Sequence, residues 1–380
     1  MTYSKTIAQI KEINGNRDFT PLHEPCFSGN EKNYLADTID TTFVSSVGAY
    51  VDRFEAEMAR YTETAKAVAV VNGTAALQVG MRLAGVSKGT EVLTQALTFV
   101  ATANAIAYNS ARPVFIDVDL DTMGMSPLAL SAFLDEFGEL REEGCFNKST
   151  GRRIAACVPM HTFGYMCRID EIVAICDRWK IQVVEDAAEA LGSKYKGQSA
   201  GSFGQTGAFS FNGNKIITSG GGGTIVSKDA QFAEKAKYLT TTAKVPHRWE
   251  YVHDELGYNF RMPNVNAALA CAQMERIEEI KSAKKVLLAS YQEVFTGESA
   301  RLKPIPAGTD WNHWLISVEL ENLEERNRFL QETNDAAVMT RPIWRLISSL
   351  PMYEQCQKDS LANSIWLEER IVNIPSSVKV

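Results

Sequence analysis

Between about Ala65 and Lys237 the chain alternates short apolar runs with segments of helical period: AKAVAVV then GTAALQVGMRLAG, EVLTQ then FVATANAIAYN, followed by PVFIDVD, RIAACVPM, IQVVEDAA, GAFSF and GGTIVSKD. No other feature constrains the fold as much. Nearly continuous apolar strands joined through helices belong to a sheet that is covered on both faces, because a helical crossover brings the next strand back parallel to the last. The expectation is an α/β domain with a mainly parallel sheet. The segment Arg168 to Lys180 places Ile169, Ile172, Val173 and Cys176 on one helical face and supplies one crossover. Leu35, Ile39 and Phe43 recur every fourth residue, which predicts a helix before the sheet begins.

Downstream of Pro263, Val265 to Phe295 reads as one long helix joining two domains. The tail then changes character, with strand-like HWLISVEL, helical LEERNRFLQE, strand-like VMTRPIW and helical ANSIWLEERI, the pattern of a smaller α+β unit. The expected division is a large domain over 1–261 and a small one over 262–380. At 380 residues and 45% apolar composition the chain can bury the core such an arrangement needs.

Composition removes several functions. A net charge of −7 argues against a general nucleic-acid binder, which carries a basic face. The seven cysteines form no C-x-x-C pair and share no spacing with the five histidines, so no metal site is indicated. Scattered, odd-numbered cysteines suit a reducing compartment. MTYSKTIAQIKEING lacks the apolar stretch of a signal peptide, and no run is long enough to span a bilayer; the expected location is the cytoplasm, with no membrane partner.

In open α/β sheets the chemistry collects at the carboxyl ends of strands. VAVV ends in Asn72-Gly73-Thr74-Ala75, a turn that caps a helix and lets the backbone approach a phosphate, or else is an ordinary N-cap. IQVV ends in Glu185-Asp186, where a buried carboxylate would need a cationic partner; a structural salt bridge and a ligand contact are both open, and Glu189 follows one turn on. In GAFSFNGNK, alternation sends Ser210 and Asn212 to the face opposite Phe209 and Phe211. Lys215 comes next, ahead of four glycines that leave room beside its amine, and it is either a loop lysine or a nucleophile. Taken together, a phosphate turn, an acid and an amine match the needs of pyridoxal phosphate, with Phe99 a candidate to stack on its ring. The dinucleotide fingerprint required by a sugar dehydrogenase or epimerase is missing, as is a P-loop.

NGTAAL, TFVATANAI, VEDAAEALGS, FSFNGNK, LGYNFRMPNVNAAL and the closing IPSS give the chain, over nearly its whole length, a resemblance to the DegT/StrS family of pyridoxal phosphate-dependent sugar-nucleotide aminotransferases of fold type I. LHEPCFSGNEKNYL and TFVSSVGAYVDRFE resemble in detail its legionaminic-acid (LegC-type) and bacillosamine-pathway branch. The resemblance implies that Lys215 bonds to the cofactor, Asp186 pairs with the pyridine nitrogen, Gly73, Thr74, Ala75 and Ser210 hold the phosphate, and Phe99 stacks. It also implies that Asn259 reaches the phosphate of the neighbouring subunit, hence a homodimer with shared sites. The resemblance also implies that Glu189 contacts the cofactor near its phenolic oxygen, where many relatives carry glutamine or histidine, and Gly220 to Gly223 lacks the acidic residue many relatives have there.

The implied reaction moves an amino group from L-glutamate to C4 of a UDP-linked 4-keto-6-deoxy-N-acetylhexosamine. A 3-keto acceptor, or one linked to TDP or GDP, is the alternative, and a non-catalytic pyridoxal phosphate-binding protein is the remote one. Lys32, Ser45, Ser46, His313 and Arg341 are the candidates for contact with the nucleotide sugar, and for each a solvated or packing role is equally open.

Overall fold

In the computed structural model, which describes residues 2–296 and 300–379, the apolar runs form one sheet. Its strands lie in the order Lys66–Val70, Gly223–Ser227, Thr206–Ser210, Gln182–Asp186, Arg153–Val158, Glu91–Gln95 and Arg112–Ile116. All neighbours from Thr206–Ser210 to Arg112–Ile116 run parallel, and Gly223–Ser227 is antiparallel to both strands beside it. A hairpin of Gly138–Arg141 and Gly144–Asn147 continues the sheet beside the start of Arg153–Val158.

The pleat divides the core in two. Ala67, Ala69, Leu93, Val183, Phe209 and Val226 join one apolar cluster, while Val68, Val70, Val92, Val184, Ala208 and Ile225 join the other. Adjacent residues of one strand thus feed opposite faces, which is why these strands read as continuous apolar runs. The Gly73–Leu83 helix starts at Asn72, whose Oδ1 accepts the Ala75 amide at 2.8 Å, and buries Ala76, Leu77, Val79 and Met81 in the second cluster.

The expected long helix is two helices, Asn264–Met274 and Ile277–Val294. The chain leaves helical geometry at Arg276 (φ −116°, ψ 6°), beside a Glu275 carboxylate that takes hydrogen bonds from Asn30 (2.8 Å), Tyr34 (2.6 Å) and Arg53 (2.6 Å). The first helix packs on Glu31–Asp40 and Ala49–Tyr61, and the second on Ser4–Ile13. The tail builds an antiparallel sheet, Ala300–Leu302, Ser317–Leu320, Ile371–Asn373 and Arg341–Pro342 in spatial order, covered by the Leu323–Asp335 helix. Strand HWLISVEL begins only at Ser317, because His313 takes a left-handed conformation (φ +57°). The first apolar cluster runs without a break from Leu93 through Ala267 to Val318, across the expected 261/262 boundary.

Candidate active site

The carboxyl ends of strands Lys66–Val70, Gln182–Asp186 and Thr206–Ser210 open onto one cavity of about 670 Å³, closed on the far side by the tail sheet. Gly73, Thr74, Phe99, Asp186, Glu189, Ser210, Lys215 and Arg341 all line it.

Lys215 sits in a loop tied to Phe211: the Phe211 amide donates to the Gly222 carbonyl (2.9 Å), and the Phe211 carbonyl accepts from the Ser219 amide (3.0 Å). The glycine run that follows is needed for close approach as well as for space. A Cβ on Gly223 would stand 2.5 Å from the Asn72 carbonyl carbon and 2.7 Å from the Gly73 nitrogen, so this strand can reach the Asn72–Thr74 turn only as glycine. A Cβ on Gly73 would lie 2.8 Å from that of Ser210. The amides of Gly73 and Thr74 donate to no protein acceptor among the described residues, whereas that of Ala75 is taken by Asn72. The Lys215 Nζ lies 3.1 Å from Glu189 Oε1 and 4.4 Å from the centre of the Trp314 ring.

Glu185 and Asp186 point to opposite faces. Asp186 turns into the cavity, with Oδ2 accepting from the Thr102 hydroxyl (2.7 Å) and Oδ1 from the Ala188 amide (3.2 Å). Burial pushes its carboxyl above the usual range, against the Thr102 and Ala188 hydrogen bonds and the Lys215 charge. Glu185, also fully buried, lies 3.0 Å from His161 Nε2 and takes the amides of Gly201, Phe203 and Gly204. The cationic partner expected of a buried acid is, for Glu185, His161, raised to about 10 against its own burial by Cys167 and Glu185, and the three main-chain amides add to it. Glu189 accepts from the Phe163 amide at 2.9 Å, and burial pushes its carboxyl up too, opposed first by the Lys215 charge and then by that amide.

Phe99 lines the cavity while 51% exposed, 6.3 Å from the Trp344 ring, which in turn lies 4.9 Å from Phe163. Thr102, Phe163, Trp314, Trp344 and Arg345 also line the wall and were not singled out from the sequence. Trp314 adjoins His313, the residue that was. His313 itself lies outside the cavity in a left-handed conformation, packed on Trp311 at 4.7 Å with its Nδ1 unpartnered among the described residues, and burial lowers it to about 4.

The remaining candidates also lie apart from this cavity. Lys32 is exposed on Glu31–Asp40; the Ser45 carbonyl accepts the Asn264 amide (2.5 Å); Ser46 lines a separate hollow with Lys237 and Arg261; Asn259 Oδ1 accepts from Arg261 Nε (3.0 Å). Arg341, on the wall, spends one nitrogen on Asn334 Oδ1 (3.0 Å) and the Thr340 carbonyl (2.9 Å). Among the described residues no helix is long and apolar enough to cross a membrane, and no group of histidine, cysteine and acidic side chains is placed to hold a metal.

Residues 25–380 match the model of the DegT/DnrJ/EryC1/StrS aminotransferase family. The chain is 36% identical over 334 residues to EpsN of Bacillus subtilis (strain 168), covering 88% of this chain and 83% of that one. It is 33% identical over 360 residues to the GDP-perosamine synthase of Escherichia coli O157:H7, covering 94% and 93%. Among solved structures, the aminotransferase TlmJ from Streptoalloteichus hindustanus superposes with a TM-score of 0.85 at 25% identity, over 94% of this chain and 93% of that one.

Proposed function

The chain belongs to the DegT/DnrJ/EryC1/StrS aminotransferase family, and from that premise we propose that it moves an amino group from L-glutamate to C4 of a UDP-linked 4-keto-6-deoxy-N-acetylhexosamine. That it is a pyridoxal phosphate-dependent sugar aminotransferase follows from the family. The donor, the nucleotide, the reacting carbon and the roles of individual residues are the proposal. One observation carries it: an amine, a buried carboxylate and a turn with free amides converge on a single cavity.

The residues fit the cofactor. The Gly73–Thr74 amides, unused by protein and backed by the start of the Gly73–Leu83 helix, suit a phosphate, with the Ser210 and Thr74 hydroxyls beside them. When bound, pyridoxal phosphate supplies an aldehyde carbon and an electron-accepting ring. Asp186 supplies a fixed negative charge that keeps the ring nitrogen protonated, and the Thr102 hydroxyl keeps that charge in place. Lys215 carries the one primary amine among the described lining residues, so its Nζ is both the nucleophile and the group that takes a proton from the substrate carbon and returns one. Glu189 orients that amine, and the Trp314 ring supports it from below. Phe99, Phe163 and Trp344 exclude water from the wall, while Arg341 and Arg345 face the anionic parts of the substrates.

The large apolar side chains of Ile39, Val47, Trp249, Tyr251 and Leu256 stand exposed on the single chain, which supports a homodimer in which Asn259 serves the partner's phosphate site. A GDP-linked acceptor is the second reading, because a relative aligned over nearly all of both chains is a GDP-perosamine synthase. The test is incubation with glutamate and a panel of 4-keto and 3-keto UDP-, GDP- and TDP-sugars, with the product read by NMR. Amination at C4 of the UDP-hexosamine is expected. Amination at C3, or turnover confined to another nucleotide, overturns the assignment.

A further inference from the structure

The Ile277–Val294 helix carries a lysine on its apolar face. Lys284 has no exposed surface, and none of the groups it touches is a carboxylate. Its Nζ lies 2.9 Å from His23 Nε2, 2.6 Å from the Ser376 carbonyl oxygen and 3.2 Å from the Trp314 carbonyl oxygen. A buried ammonium without a counter-ion is costly, and the usual response is to shed the proton. Burial accordingly pushes Lys284 down to about 7, and burial together with the charges of Lys284 and Lys215 holds His23 well below the ordinary histidine value.

This site tolerates both protonation states. As an ammonium, Lys284 donates to all three neighbours, and His23 accepts through Nε2 while its own hydrogen sits on Nδ1. As an amine, Lys284 still donates to the two carbonyls and accepts from His23 Nε2–H. Among the described residues His23 Nδ1 has no hydrogen-bond partner of normal geometry, although the Asn214 main chain favours a proton on this ring. Lys284 Nζ thus keeps its three neighbours as hydrogen-bond partners with or without the third proton.

The pair is connected to the cavity. Leu22, next to His23, lines it. The carbonyl that Lys284 holds belongs to Trp314, whose ring lies 4.4 Å from Lys215 Nζ and whose indole N–H donates to the carbonyl of Asn214 at 2.7 Å, one residue before Lys215. The other titratable groups nearby are Lys281 and Lys285 on the same helix, His313 and the exposed Asp310 from the segment before Trp314, and Lys215 itself.

We infer that Lys284 and His23 share one titratable proton behind Lys215, and that this pair is a positioning element coupling the reactivity of the Lys215 amine to pH. The inference rests on Lys215 as the reacting amine of the proposed function. It is tested on the protein without cofactor, by reductive methylation with formaldehyde from pH 6 to 9, following Lys215 by peptide mass spectrometry. The wild-type rate profile is expected to show an inflection near pH 7, lost in Lys284→Met and displaced in His23→Gln, while exposed Lys88 behaves alike in all three. An inflection that persists unmoved in both variants, or none in the wild type, overturns the inference. If Lys284→Met does not fold by circular dichroism, His23→Gln decides alone. Formaldehyde needs no cofactor, so failure of the protein to form a coloured complex with pyridoxal phosphate would defeat the proposed function without touching this result.

Discussion

Thr102→Val isolates the one side-chain hydrogen bond that steadies Asp186. The hydroxyl donates to Oδ2 at 2.7 Å in a buried setting, and valine replaces it with a methyl of similar size. A hydrogen bond to a charged group is worth about 1.5–3 kcal/mol, a factor of about ten to a hundred in the protonation equilibrium, so the Asp186 carboxyl should rise further. The direction follows from the site: burial already holds this carboxyl up, and Thr102 is the first group opposing it. Thr98, whose Oγ1 lies 2.9 Å from that of Thr102, keeps its contact with Met160 Sδ at 2.9 Å, so the change leaves no hydroxyl stranded. The assay is pyridoxal phosphate affinity followed by absorbance from pH 5 to 9. Affinity should be nearly unchanged at the alkaline end, and its acid limb should move to higher pH, because the carboxylate is lost earlier as pH falls. An acid limb that stays in place would show that Asp186 does not govern cofactor binding.

Lys215→Ala should abolish both the coloured complex and amino transfer while leaving the circular dichroism spectrum intact; residual turnover would require another amine. Gly223→Ala forces a methyl to within 2.5 Å of the Asn72 main chain, and overpacking of this kind costs about 1–3 kcal/mol, so a lower thermal midpoint and weakened cofactor binding should appear together. Lys284 contributes its own pH dependence of stability. With the folded amine near 7 and the unfolded one near 10.5, the folded state binds fewer protons between those values, so stability rises with pH there by up to about 1.4 kcal/mol per unit and is flat in this term below pH 7. Urea titrations of wild type and Lys284→Met at pH 7 and pH 9 should show that difference, and parallel behaviour would mean the lysine stays charged throughout.

The parts of the site legible in the sequence are those that lie at strand ends. Asp186 and Ser210 each end a run whose burial pattern is fixed by the pleat, so their side of the sheet could be read from parity alone, and Lys215 follows in the loop that leaves the second of these strands. The same rule separates Glu185 from Asp186, although not which acid turns inward to the core: that depends on the Gly201–Gly204 amides, which no spacing announces. Among the tail residues His313 was a candidate, yet its left-handed backbone precedes Trp314, and it is Trp314 that stands on the cavity wall. Thr102 was hidden differently. It sits on a helix 84 residues before its partner, so only the fold shows that its hydroxyl meets a carboxylate.

Lys284 is the extreme case. In SAKKVLLAS two adjacent lysines look equally solvated, yet a helix turns them by about 100°, and that angle alone leaves Lys285 exposed while sending Lys284 among Ile280, Leu287 and Leu288. Helical periodicity does mark position 284 as inward-facing, and the polar residue found there is then the signal rather than an exception to be smoothed over. A charged residue at an apolar position of an amphipathic helix must find partners or lose its charge. Here the neutral partners come from residues 23, 314 and 376, three segments far apart in the chain, so what the lysine does could be recognised only once the fold had brought them together.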